Sequence, residues 1–281
     1  MANDKKEVRR ILDRVKADGR TSLTAPEGKA VCDAYGIPVP KEGVATTPAQ
    51  AAKIASAMGY PVVLKIVSPQ ILHKTEAGGV LVGVKTAAEA KKGFATIMAN
   101  AKKYNRKAEL AGVQVQQMVG GGQEVIIGAV TDPSFGKLVA FGLGGVLVEV
   151  MKDITFRLAP ASKDDALSML DGIAAAEILK GVRGAKGVNR AALAGVIRSV
   201  SQLIADFPEI AEMDLNPVFA DDKGATAADV RIVVDWNPPA PRVRPKHEDI
   251  VRDMNRIMKP DAVAVIGAST ETGKIGNSVM K

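Results

Sequence analysis

Apolar residues Val8, Ile11, Leu12 and Val15 recur at helical spacing, and Gly19 supplies a stop, so the chain opens on a short amphipathic helix over 5–17. A second helix is predicted over 26–36, with Pro26 near its start and Gly36 after its end, and 37–47 reads as extended. Thr47 as N-cap, Pro48 in the first turn and Gly59 as stop frame a third helix. "PVVLKIVS", 61–68, is predicted as a strand buried on both faces apart from Lys65. "GGVLVGVKT", 78–86, reads as another strand, 87–104 as a helix, and "AGVQVQQMV", 111–119, as a strand with polar and apolar residues alternating. The run 123–144 reads as a hairpin turning through Asp132, Pro133, Ser134 and Gly136.

Beyond Ser162, a candidate N-cap, the pattern is mostly helical, with helices over 163–172, 175–181 and 189–208. "EMDLNPVFAD" and "GATAADVRIVVD", 212–221 and 224–235, then form a last pair of strands. No internal repeat is present, and strands and helices alternate in uneven groups with antiparallel pairs. The expected fold class is therefore mixed α/β (α+β), built as two lobes rather than a regular doubly wound sheet. Four prolines and two arginines in 237–246 make a stiff, solvated linker. A short helix, 247–258, leads into a strand, a glycine-bearing turn and the start of a helix at 261–281. Twenty-one residues cannot bury a core alone, so this tail implies either a second domain continued elsewhere or a partner that completes it. The predicted organisation is an N-terminal helix (1–20), a main domain (21–236), a linker and short helix (237–260) and an incomplete domain (261–281).

Composition narrows the function classes. Aromatics make up 4% of the 281 residues, which argues against a base-stacking surface. The net charge of +7 is concentrated at the ends: residues 1–20 and 238–260 carry +3 each, and 21–237 is nearly neutral. A nucleic-acid-binding body would instead present a concentrated basic face. No apolar run is long enough to span a membrane, and the charged N-terminus lacks a signal-peptide core, so a cytoplasmic location is expected. The single cysteine, Cys32, excludes an internal disulfide framework and reads as a buried small residue.

A few residues stand out from their elements. His73, one of two histidines, lies in "SPQILHKTEAGGV", 68–80, beside a Gly-Gly pair. Lys65 interrupts an apolar strand; it marks either the strand's exposed end or a cation aimed at phosphate. "VQQMVGGGQEV", 115–125, runs a polar-edged strand into three glycines, a flexible turn or a backbone that approaches a ligand closely. Gly142, Gly144 and Gly145 precede a stretch with Glu149, Asp153 and Arg157, charges that are solvated or belong to a site. Asp214, Asn216 and Asp229 offer hard oxygen donors, with Asn216 and Asp229 placed on two successive strands that could pair, as Mg²⁺ beside phosphates requires. "VAVIGASTETGKIG" departs from the dinucleotide fingerprint, since Ser269 stands at its second glycine between Gly267 and Gly273.

Taken in order, "AYGIPVP", "PVVLKIVSPQILHKTEAGGV", "GGVLVEVMKDITFRLAP", "LKGVRG", "EMDLNPVF" and "ADVRIVVD" resemble the ATP-grasp part of NDP-forming acyl-CoA synthetases, over residues 21–236. That group includes ADP-forming acetate–CoA ligase and is related to the succinyl-CoA synthetase β subunit. The tail 260–281 resembles the first strand and loop of the group's CoA-binding domain, here placed after the ATP-grasp part rather than before it.

The resemblance implies the reaction acid + CoA + ATP ⇌ acyl-CoA + ADP + phosphate, with phosphate relayed through histidine. His73 matches a second phosphate-carrying histidine; the main one belongs to a CoA-handling half. Lys65 matches the lysine that meets nucleotide phosphates. Gln116, Gln117, Met118 and Val119 match the adenine hinge, with Glu124 placed among the nucleotide-binding residues. Asn216 and Asp229 match magnesium ligands, and Gly267, Ser269 and Gly273 a loop for CoA phosphate. Ala25 departs from the pattern, where relatives often carry an acidic residue. The implied cofactors and substrates are ATP/ADP, Mg²⁺, CoA and a small carboxylic acid. The implied partner is a CoA-binding/ligase half within an oligomer, with neither nucleic acid nor membrane involved. Three alternatives stay open from the residues: a carboxylate–amine ligase of the ATP-grasp type, a non-catalytic ATP-binding regulatory module, and an NAD-binding protein resting on the tail alone. The acid, and ATP against GTP, are not legible.

Overall fold

A computed structural model describes residues 3–71, 73–144, 153–182, 186–238, 246–262 and 266–280. Residues 1–239 form one compact unit and 240–281 a second. Gly145 and Glu149, most of the proline-rich linker and the centre of the expected tail strand (263–265) lie outside the described residues.

The first unit holds two antiparallel sheets. The smaller comprises β1 (Glu42–Ala45), β2 (Val62–Val67), β3 (Val80–Val84) and β4 (Gly112–Gln117), in the order β1-β4-β2-β3. In register, Leu64 opposes Val115 and Lys65 opposes Gln114. Leu64, Ile66, Val113 and Val115 share a core with Ala51 and Ala55 on one helix and Phe94, Ile97 and Ala101 on another. These helices, α3 (Pro48–Met58) and α4 (Ala87–Tyr104), follow α1 (Lys5–Ala17) and α2 (Ala25–Ala34). Thr47 and Thr86 cap α3 and α4 by accepting from the backbone of Gln50 and Glu89, each bond contributing about 1 kcal/mol.

The larger sheet runs β10-β8-β5-β6-β7, with β9 on the far part of β8. Its strands are β5 (Gln123–Asp132), β6 (Gly136–Leu143), β7 (Ile154–Leu158), β8 (Ile210–Ala220), β9 (Ala225–Ala227) and β10 (Val230–Val234). Val125, Ile127, Ala129 and Phe141 bury one face against α5 (Lys163–Asp171), α6 (Ala176–Lys180) and α7 (Arg190–Asp206). The stripe Val8, Ile11, Leu12 and Val15 of α1 enters the same core. Ser162 and Asp165 close a capping box on α5, and Asn189 caps α7.

Two expectations need correction. Lys65 is not an exposed exception on β2: all six residues are buried, and the lysine is 8% exposed. Its ammonium reaches partners in the other sheet's connections, which removes the cost of an unpaired buried cation. Residues 224–235 are not one strand. The run breaks between β9 and β10, and Asp229 sits in the break rather than on a strand. There the Ala228 carbonyl accepts from Lys65 and the Ala228 N–H donates to Pro217 O. These cross-connections hold the segment where a continuous ladder was expected.

The second unit contains α8 (His247–Met258) and α9 (Ile275–Met280). Gly267 and Gly273 take φ of +84° and +94°, a left-handed backbone that glycine adopts without strain. The loop closes locally, with Ser269 Oγ accepting from the Glu271 N–H and Asn277 Nδ2 donating to the Ser269 carbonyl.

Candidate active site

A cavity of about 530 Å³ lies in the first unit where the two sheets face each other. Its walls carry Lys65 of β2, His73 and Lys74 of the β2–β3 loop, Gln116 of β4, and Met118 and Val119 just beyond it. The larger sheet contributes Asp214 and Asn216 from β8, Asp229 from the β9–β10 break and Arg231 from β10.

Its electrostatic centre is a three-charge cluster. Lys65 Nζ donates to the Ala228 carbonyl at 2.7 Å and to Asp229 Oδ1 at 3.2 Å. Lys74 Nζ donates to both Asp229 oxygens, at 3.1 and 3.2 Å. Burial draws the Lys65 ammonium below the ordinary lysine range; Lys74 adds to this and Asp229 opposes it. Burial alone would push the Asp229 carboxyl up. The two ammonium groups together outweigh that and hold it below the usual carboxylate value, so it is ionised at neutral pH.

Asp214 stands in register with Arg231 across β8 and β10, and Arg231 Nη1 donates to Glu212 at 3.2 Å. Burial raises the Asp214 carboxyl above its usual value, against the pull of Arg231. Asn216 lies two residues further on, exposed on the cavity wall. An ionised carboxylate at Asp229 and an amide oxygen at Asn216 are the hard donors Mg²⁺ takes when phosphates and water complete its shell, so the residues fit the ion. Among the described residues, no group of three or more His, Cys, Asp or Glu forms a metal cluster.

His73 sits on the loop with its side chain 68% exposed and Nδ1 3.9 Å from Glu76 Oε1. The loop itself is braced. Gly79 N–H donates to the Lys74 carbonyl at 2.8 Å, and Ile66 N–H to the Gly79 carbonyl at 2.8 Å. An exposed imidazole on a braced loop is open to an incoming phosphoryl donor or acceptor.

Of the nucleotide-binding candidates, Gln116, Met118 and Val119 line the cavity and Gln117 and Glu124 do not. Gln117 is exposed, and its backbone N–H donates to the Lys41 carbonyl. Glu124 is exposed on β5, in register with Phe219. Beneath Gln116 lies a buried polar strip in which Gln114 and Gln116 both donate to Glu42, whose carboxyl burial pushes up. Gly267, Ser269 and Gly273 belong to the second unit. Asp153 and Arg157 have local structural partners: Asp153 accepts from the N–H groups of Ala174 and Ala175, and Arg157 donates to Ser168. Cys32 is fully buried, and burial pushes its thiol far above the ordinary range, so it is no nucleophile.

Lys74 and Arg231 are the residues that sequence reasoning passed over. The signal for Arg231 was available, as a cation inside the apolar run "VRIVV". Lys74 gave none beyond standing next to His73.

A family model described as the ATP-grasp domain matches residues 14–234. The β subunit of acetate–CoA ligase [ADP-forming] I from Pyrococcus furiosus is 48% identical over 226 residues, covering 80% of this chain and 97% of the relative. The 4-hydroxybutyrate–CoA ligase [ADP-forming] of Nitrosopumilus maritimus is 47% identical over 231 residues; the match covers 82% of this chain but 33% of that longer protein. Among solved structures, a dinucleotide-forming acetyl-coenzyme A synthetase 1 of Ca. Korarchaeum cryptofilum superposes with a TM-score of 0.72 at 39% identity, over 81% of this chain and all of the other. That structure is described as a complex with coenzyme A and Mg-AMPPCP, its phosphohistidine segment pointing towards the nucleotide binding site.

Proposed function

The chain belongs to the ATP-grasp family, and on that footing we propose that it is the nucleotide-binding, phosphoryl-transferring part of an ADP-forming acyl-CoA ligase. The observation that carries the reading is the convergence of Lys65, Lys74, Asp229, Asn216 and His73 on one cavity, supported by relatives that this chain covers over 97% and 99% of their length and that are β subunits of such ligases.

In this reading ATP lies in the cavity against Gln116, Met118 and Val119, with its phosphates toward Lys65. Asn216 and Asp229 hold Mg²⁺, which when bound neutralises charge on the phosphate oxygens. Lys65 donates from its buried position to an oxygen of the transferring group; a fixed cation in a dry site stabilises a spreading negative charge better than one in water. A ring nitrogen of His73 takes the γ-phosphoryl group: a P–N bond forms, the P–O bond to ADP breaks, and ADP leaves. The phosphoryl group then passes to a histidine of a CoA-handling partner, the P–N bond to His73 breaking as one to that histidine forms, and the same steps run in reverse.

The partner is a separate subunit or further chain, the substrates are CoA and a small carboxylic acid, the working particle is an oligomer and the location is the cytoplasm. Residues 21–236 act as the ATP-grasp body. Residues 261–281 act as the first element of a CoA-binding domain whose loop at Gly267, Ser269 and Gly273 meets CoA phosphate. Among the described residues no helix is long and apolar enough to cross a membrane.

The test is γ-³²P-ATP with Mg²⁺ and the CoA-handling subunit of a two-subunit relative. Acid-labile, base-stable label is expected on the wild-type chain and not on His73→Asn, which still binds Mg-ATP by calorimetry. Equal labelling of His73→Asn would overturn the relay.

A further inference from the structure

Lys74 occupies an unusual position for a loop lysine. Its neighbours His73 and Glu76 are exposed, while the Lys74 side chain is 16% exposed and its ammonium lies against both oxygens of Asp229. The bond crosses the cavity. Lys74 sits on the connection between β2 and β3 of the smaller sheet, and Asp229 in the β9–β10 break of the larger one. Lys65 also reaches Asp229, but its second bond, to the Ala228 carbonyl, keeps it anchored whatever happens to the carboxylate. Among the described residues, Asp229 is the side-chain partner of Lys74, through both oxygens.

We propose that Lys74 is a tether that stands in for the divalent cation at Asp229 and couples metal arrival to release of the His73 loop. The proposal rests on the reading that Asp229 holds the metal. A carboxylate whose two oxygens both face one ammonium has lone pairs already taken, and a divalent cation at the same oxygens would repel that ammonium at close range, so metal and Lys74 compete for Asp229. Metal binding at Asp229 therefore displaces the Lys74 ammonium, and His73, the adjacent residue, is freed with it. The displaced ammonium remains on the cavity wall, where nucleotide phosphates supply a new counter-charge. In the empty site the tether holds the imidazole on a braced loop; in the loaded site it lets the imidazole move.

The coupling is reciprocal by thermodynamic necessity: if metal loosens the loop, the loop weakens metal. Lys74→Met keeps the length of the side chain and removes the competing charge, so it should bind Mn²⁺ alone more tightly than wild type, by about tenfold, within the usual range of coupling between sites. Free Mn²⁺ is counted by electron paramagnetic resonance with no nucleotide present. A second reading uses amide exchange at Ala77 and Gly79, whose N–H groups bond to His73 O and Lys74 O. Exchange there should quicken in wild type on adding Mn²⁺, and already be quick in metal-free Lys74→Met. Equal or weaker Mn²⁺ binding by both Lys74→Met and Lys74→Gln, or a loop whose exchange ignores metal, overturns the tether. Asp229→Asn separates this from the reading beneath it. If that variant loses Mn²⁺ binding while Lys74→Met gains none, only the tether fails; if Asp229→Asn binds Mn²⁺ as wild type does, the metal assignment fails and the tether with it.

Discussion

Replacing Lys65 by Met should abolish nucleotide binding while leaving the fold about as stable as before. In the folded protein Lys65 is buried, with one 2.7 Å bond to a neutral carbonyl and one 3.2 Å bond to Asp229. Hydrogen bonds of a charged group contribute about 1.5–3 kcal/mol each, net of moving the group out of water, and the longer bond lies at the weak end, so the loss is roughly 3–4 kcal/mol. Against this stands the buried Met side chain, which contributes about 1.5–3 kcal/mol. Removing one member of a buried pair is ordinarily ruinous because the other is left uncompensated. Here Lys74 still covers both oxygens of Asp229, so no orphaned carboxylate remains.

The terms cancel to within about 1–2 kcal/mol, and at 2–4 °C per kcal/mol for a unit of this size the melting temperature should move by less than about 8 °C. Melting followed by far-ultraviolet circular dichroism, with and without Mg-ADP, checks both halves. Ligand at 100 times its Kd stabilises the wild type by about 2.7 kcal/mol, a rise of roughly 5–10 °C, and Lys65→Met should show none of it. A fall above about 12 °C without ligand would mean that Lys65 is a structural strut. An undiminished rise with Mg-ADP would mean that it does not touch the nucleotide.

Asp229→Asn should behave in the opposite way: two ammonium groups lose their shared counter-charge, so the apo protein should lose about 1–3 kcal/mol in urea unfolding, with metal binding lost as well. Glu27 accepts from the Thr24 N–H and hydroxyl and from both terminal nitrogens of Arg20. Burial works to raise its carboxyl, but these donors hold it below the ordinary range, so its contribution is full above the unfolded value of about 4.3 and fades as pH falls through the folded one. Glu27→Gln should therefore cost about 1–2 kcal/mol at pH 7, and the gap in urea midpoints should close below about pH 4. Gly79 has no room for a side chain: an added Cβ would lie 2.5 Å from Ile66 Cγ2 and 3.0 Å from the Lys74 carbonyl. Gly79→Ala should lose about 1–3 kcal/mol in thermal melts and lower label incorporation at His73, because the same contact sets the loop.

What the sequence revealed and what it concealed divide along chain distance. Helix ends were legible at Thr47, Gly59 and Ser162 because a cap acts within three or four residues. Lys65 was legible as an anomaly, a cation in an apolar run, but its partner Asp229 is 164 residues away, so whether it was exposed or paired was undecidable. The break at Asp229 was hidden for the same reason: "ADVRIVVD" reads as a uniform strand, and what interrupts it is the cross-connection of Ala228 to Lys65 and Pro217. Within 116–119 the period of two is legible: Gln116 and Met118 fall on the side that lines the cavity and Gln117 on the other, its N–H bonded to the Lys41 carbonyl. Lys74 was never legible, since nothing local distinguishes it from a solvated lysine and its side chain's bond to Asp229 spans 155 residues. The kinds of residue that stand out chemically can thus be read along the chain; which cation answers which carboxylate is decided by the packing of two sheets, and in this cavity that pairing ties Asp229 to the loop that carries His73.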